Sequence, residues 1–176
     1  IKLFPNLKGR SMGLIFCMEK IASFTVNHLD LLPGLYVSRR DRIGSETVTT
    51  FDMRVTRPNT EPVIETAALH AIEHLGATFL RNDPDWKDKT IYFGPMGCRT
   101  GFYILFAGEL EPLDIYDCVK NMCDFILAYE GTIPGASPRD CGNYLDLNLG
   151  MAKYYIARYR IEVLGDFTEA RRVYPK

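Results

Sequence analysis

Between Glu61 and Arg81 the apolar residues Ile64, Ala68, Ile72, Leu75 and Phe79 recur at spacings of three and four. That is the period of a helix that buries one face. Within the same stretch lies His70-Ala71-Ile72-Glu73-His74, an H-x-x-E-H sequence. A spacing of four sets both imidazoles on one side of the helix, one turn apart, with Glu73 beside them. The segment must therefore pack along one stripe and present two imidazoles along another. Thr60 can cap it, Glu61 and Pro62 suit its first turn, and Asn82-Asp83-Pro84-Asp85 ends it, so the spacing predicts a helix over 61–81.

The flanking sequence changes period. Leu35 to Gly44 and Thr47 to Val55 are rich in Tyr, Val, Ile, Thr and Phe, with Gly44-Ser45 between them, and read as a β-hairpin. In its second arm Phe51, Met53 and Val55 alternate with Asp52 and Arg54, so Arg54 points away from the buried face. Thr90 to Phe93 and Phe102 to Ala107 read as two further strands, joined through the tight turn Gly94-Pro95-Met96-Gly97-Cys98. Helices follow over 112–130 and 151–164, separated by the irregular stretch 131–142. This order predicts a single α+β domain, an antiparallel β-sheet with helices packed on one face.

Composition removes several functions. Lys and Arg total 21 against 22 for Asp and Glu, leaving no positive excess for nucleic acid or an acidic membrane surface. No apolar run approaches the roughly 20 residues that span a bilayer. The five cysteines, Cys17, Cys98, Cys118, Cys123 and Cys141, lack the spacings of a disulfide framework or a four-thiolate zinc module. Reduced thiols in a cytoplasmic protein fit better. Residues 1–17 read as a non-native or dispensable extension, with the domain running over 18–176 and Cys17 an incidental thiol.

The H-x-x-E-H helix points to a divalent metal on His70 and His74. Catalytic metals usually take three protein ligands and leave one position open, so a third must come from elsewhere. The candidates are His28, a carboxylate or a thiolate; Cys141 stands out in the polar loop Arg139-Asp140-Cys141-Gly142. Cys118 and Cys123 sit among the apolar residues of their helix and read as packing residues. Cys98 differs: Gly97 before it and Arg99-Thr100-Gly101 after it give exposed, polar, positive surroundings that favour a thiolate.

Taken together, the H-x-x-E-H helix, the run Gly94-Pro95-Met96-Gly97-Cys98-Arg99-Thr100-Gly101-Phe102-Tyr103 and Cys141-Gly142 resemble the LuxS family of S-ribosylhomocysteine lyases, from about Ile21 to Leu164. The resemblance implies that His70, His74 and Cys141 hold the metal and that Glu73 and Cys98 act as acid/bases. It also implies that Ser23, His28 and Arg54 line the substrate pocket, and that the active sites lie at a homodimer interface. Tyr92 and Gly94 depart from the family, where Asp and Ser are common. The implied reaction cleaves S-ribosylhomocysteine to homocysteine and dihydroxy-pentanedione, the autoinducer-2 precursor of quorum sensing, and so recycles a by-product of the methyl cycle.

The thioether sulfur leaves only once a carbonyl has migrated along the sugar, through enediolates, to make β-elimination feasible. A Lewis-acidic metal and two proton carriers suit that sequence. Two imidazoles and one thiolate suit iron(II), zinc or cobalt, and the resemblance implies one iron(II) per subunit. Two rivals share part of the pattern. An inverted-zincin-type metallopeptidase would use Glu73 to activate water, with a downstream carboxylate as third ligand. A non-catalytic metal-binding domain would need a fourth ligand.

Overall fold

The computed structural model describes Ile21 and residues 24–176. Ser23, Cys17 and the extension 1–17 lie outside the described residues. Four strands, β1 (Gly34–Ile43), β2 (Glu46–Arg54), β3 (Thr90–Pro95) and β4 (Gly101–Ala107), form one antiparallel sheet in the order β1-β2-β4-β3. Three helices accompany it: α1 (Thr66–Asn82), α2 (Tyr116–Ala128) and α3 (Leu149–Arg158). The expected single-domain α+β class and the hairpin are both present.

Register decides which side chains share a face. Leu35 pairs with Met53 and Met53 with Phe102, while Phe51 pairs with Ile104 and Ile104 with Phe93. This is the core face, and all six residues join one cluster with Ala68, Ile72 and Leu75 of α1 and Val119, Met122 and Ile126 of α2. Most of these side chains are fully buried, each of the larger ones stabilising the fold by roughly 1.5–3 kcal/mol in transfer terms. Gly76 lets α1 reach β3, since a Cβ there would lie 2.4 Å from the Phe93 ring.

The first helix begins later than its period predicts. The N–H groups of Thr60 and Glu61 donate to the Arg57 carbonyl, closing a turn around Asn59, whose φ is +60°. The Thr60 hydroxyl also turns back to Arg57 rather than capping a helix. Ile64 N–H then donates to Arg99 O at 2.9 Å. A long-range backbone pair thus takes the amide a longer helix would have used, and α1 starts at Thr66. Likewise α2 covers 116–128 rather than 112–130. The third helix starts early because the Asn148 side chain caps it through Met151 N–H at 3.0 Å. It then changes winding to a π turn over Tyr159–Val163, where the buried Tyr159 hydroxyl donates to Gly34 O at 3.0 Å.

Part of the opposite face of the sheet is also covered. Tyr36, Asp52 and Tyr103 line up across β1, β2 and β4, and Tyr174 of the C-terminal segment stacks on Tyr36 with ring centroids 4.8 Å apart. Asp52 and Arg54 do alternate away from the core, as expected, but they end at 1% and 3% exposure rather than in solvent.

Candidate active site

The pitch of α1 brings His70 and His74 together with ring centroids 4.6 Å apart. The stretch between α2 and α3 meets them from the other side. His70 Nδ1 lies 2.9 Å from Asp146 O and His74 Nδ1 lies 2.7 Å from Pro134 O. A carbonyl can only accept, so each Nδ1 carries the proton and each Nε2 is left with its lone pair free for a metal. Cys141 Sγ stands 3.4 Å from His70 Nε2. Ligands on one tetrahedral zinc-like ion are separated by about 3.5 Å for such a sulfur–nitrogen pair. The three ligand atoms all fall within 4.8 Å of one another, and each side chain is partly buried. Asn143 N–H also points at the sulfur, 3.4 Å away. These residues fit a divalent metal, and the side chain that joins the two histidines in the cluster is Cys141; His28 is not in it.

Glu73 lies between the two histidines on α1, partly buried. Among the described residues its carboxylate has no hydrogen bond or ion pair. It is therefore free to meet a ligand.

Cys98 sits at the β3–β4 connection, exposed. The turn is held by Arg99 N–H to Met96 O and Met96 N–H to Gly101 O, both 2.9 Å, and Arg99 adopts a positive φ of 58°. Cys98 Sγ lies 3.1 Å from Thr100 Oγ1 and 3.8 Å from Arg54 Nη1. The Arg54 guanidinium and the Thr100 hydroxyl thus both face the sulfur. A pocket of about 300 Å³ opens at this point, with His28, Arg54, Asn59, Glu61, Cys98 and Thr100 in its wall. His28 is held by Nδ1 to Val26 O at 2.9 Å. None of the three metal-type ligands lines this pocket.

Arg54 is therefore not a solvated strand residue. Its Nη1 donates to Thr100 Oγ1 at 2.6 Å and its Nη2 to Asp52 Oδ2 at 2.5 Å. Burial pushes the Asp52 carboxyl upward, opposed by the Arg54 charge and by hydrogen bonds from Arg54 and Tyr174. Thr100, Asp52 and Tyr174 are the members of this neighbourhood that sequence reasoning misses. Thr100 was within the cysteine motif and Asp52 within the alternation, but Tyr174 has no local signal. Cys118 and Cys123 are buried in the core, as expected.

Residues 21–169 match the model of the S-ribosylhomocysteinase (LuxS) family. The chain belongs to that family. It is similar to the S-ribosylhomocysteine lyase of Clostridium beijerinckii, 58% identical over 158 residues that cover 90% of this chain and 99% of that protein. The S-ribosylhomocysteine lyase of Finegoldia magna is 55% identical over 159 residues, covering 90% of this chain and 100% of its own. That of Phocaeicola vulgatus is 52% identical over 158 residues, covering 90% and 98%. In this LuxS-family chain Tyr92 folds over Gly94 just before the cysteine motif. A Cβ on Gly94 would lie 1.9 Å from the Tyr92 hydroxyl, so the tyrosine occupies the space that a serine at 94 would need.

Proposed function

We propose that this chain is a carbon–sulfur lyase that cleaves S-ribosylhomocysteine to homocysteine and dihydroxy-pentanedione, by carbonyl migration followed by β-elimination. The reading rests on one observation above all. A two-imidazole, one-thiolate cluster and a guanidinium-flanked Cys98 coexist in a LuxS-family chain. A peptidase of the inverted-zincin type has no task for Cys98 and takes a carboxylate as third ligand, whereas here the third member of the cluster is Cys141.

His70, His74 and Cys141 hold the metal, with iron(II) as the ion in the cell and zinc or cobalt as substitutes. When bound, a divalent ion supplies Lewis-acid stabilisation of the negative charge that develops on the sugar oxygens. Glu73 and Cys98 take and return protons at neighbouring carbons, two carriers serving positions that one side chain would not reach. Arg54 and Thr100 hold the Cys98 sulfur in place between transfers. His28 and Ser23 line the pocket, and expulsion of homocysteine completes the reaction.

The active sites lie at a homodimer interface in a cytoplasmic enzyme. Support for a shared site comes from the separation of the equipment: the Cys98 pocket contains no metal-type ligand. No helix among the described residues is long and apolar enough to cross a membrane. Anaerobic incubation of the iron-loaded protein with S-ribosylhomocysteine, with thiol detection of homocysteine, tests the activity. Peptide cleavage without homocysteine release would refute it. Mixing inactive Cys98→Ala and His74→Ala subunits should restore about a quarter of the parental activity if each site draws on both chains. No restoration places both groups in one subunit.

A further inference from the structure

Behind Arg54 runs a second layer of polar side chains that the reaction above leaves without a task. Asp52 Oδ2 accepts from Arg54 Nη2 at 2.5 Å and from the Tyr174 hydroxyl at 2.8 Å. Asp52 Oδ1 and Arg54 Nε have no hydrogen-bond partner among the described residues, so one carboxylate oxygen carries both contacts. Tyr174 is itself fixed by stacking on Tyr36. The Tyr36 hydroxyl donates to Leu32 O at 2.9 Å and lies 3.1 Å from Ala170 O. Tyr174 falls outside the 21–169 family match.

A guanidinium is a rigid planar fork, so where Nη2 is held decides where Nη1 points. Here Nη1 points at Thr100 Oγ1 and Cys98 Sγ. We propose that Asp52 and Tyr174 are positioning residues for the Cys98 thiol, acting through Arg54. The inference rests on the reading that Cys98 carries protons. The hydroxyl works in two ways that agree in sign. It fixes the plane of a carboxylate that otherwise has Arg54 as its only described partner. It also takes up part of the carboxylate charge, so that Arg54 is less neutralised from behind and keeps more of its field for the sulfur.

Tyr174→Phe keeps the ring on Tyr36 and removes only the hydroxyl. On the metal-loaded protein at a fixed pH near neutral, alkylation of Cys98 by iodoacetamide, read at that residue by mass spectrometry, should slow about threefold or more. The kcat for homocysteine release should fall by a similar factor, with KM and metal content unchanged. In an Arg54→Gln background the same substitution should have no further effect on alkylation, because a residue that acts through Arg54 has nothing left to act on. Alkylation as fast in Tyr174→Phe as in the parent, or slowed by the same factor in both backgrounds, overturns the proposal. Cys98→Ala separates the two readings. Full turnover in that variant sinks the proton-carrier role, whereas lost turnover there with unchanged alkylation in Tyr174→Phe sinks the positioning role alone.

Discussion

Replacing Arg54 by leucine removes the only cation from a buried pair. The side chains of Asp52 and Arg54 are 2% and 4% exposed, and Asp52 Oδ1 is already without a partner among the described residues. Arg54→Leu therefore leaves a carboxylate that keeps one hydroxyl donor and loses its ion-pair partner, with His28 the remaining described group whose charge favours it. Breaking a buried pair from one side destabilises by about 3–5 kcal/mol, a large part of the roughly 5–15 kcal/mol available to a domain. With a denaturant slope of about 2 kcal/mol/M, the urea midpoint should drop by roughly 2 M. The loss should depend on pH. Burial already raises the Asp52 carboxyl above its ordinary value of 3.8, and without Arg54 it rises further. A carboxyl raised in the folded state stabilises most below its unfolded value and loses that contribution as pH climbs towards the folded one. The deficit relative to the parent should thus be smaller at pH 5 than at pH 8. Urea titrations followed by circular dichroism at both pH values measure it. Asp52→Leu/Arg54→Leu, which removes both charges, should regain at least half of the loss. A midpoint within about 0.3 M of the parent at pH 8 would refute the reasoning, as would a deficit that does not change between the two pH values.

Three further outcomes are expected. Cys141→Ala should lose bound metal by elemental analysis, while Cys98→Ala keeps it and stops homocysteine release; equal metal loss in both contradicts the division of roles. Burial pushes the Cys118 thiol up to about 12 and raises Cys123 as well, from an ordinary value of 9.0. Both thiols stay protonated in the folded chain while the unfolded chain ionises, so stability present below pH 9 should fall by about 1.4 kcal/mol per thiol between pH 8 and 10. A flat urea midpoint over that range would contradict their burial. Gly94→Ser should displace the Tyr92 ring, seen as a change in tyrosine near-ultraviolet dichroism, and the change should vanish in a Tyr92→Asp background; an unchanged spectrum in the single variant argues against the contact.

The parts of the site that were legible in the sequence are those whose geometry is local. Helical pitch alone sets His70 beside His74, and strand alternation alone puts Asp52 and Arg54 on one face. Cys141 was legible as a polar-loop cysteine but not as a neighbour of His70, 71 residues away in sequence. What covers Arg54 was not legible at all, because Tyr174 is 122 residues from Asp52 and carries no motif. The helix start misled for a related reason. Thr60 satisfies the local pattern of a cap, yet the Ile64 amide is claimed by Arg99 O across the fold, and tertiary pairing outweighs a propensity worth about 1 kcal/mol.

The carbonyls of Asp146 and Pro134 grip the two histidines from the same stretch of chain that supplies Cys141. Those contacts involve the imidazole nitrogens that do not face the ion. Stripping a bound ion with a chelator should therefore leave the rings oriented and the thiol-bearing segment docked. Exchange of one divalent ion for another should then be a matter of diffusion and ligand affinity, with no refolding step between them.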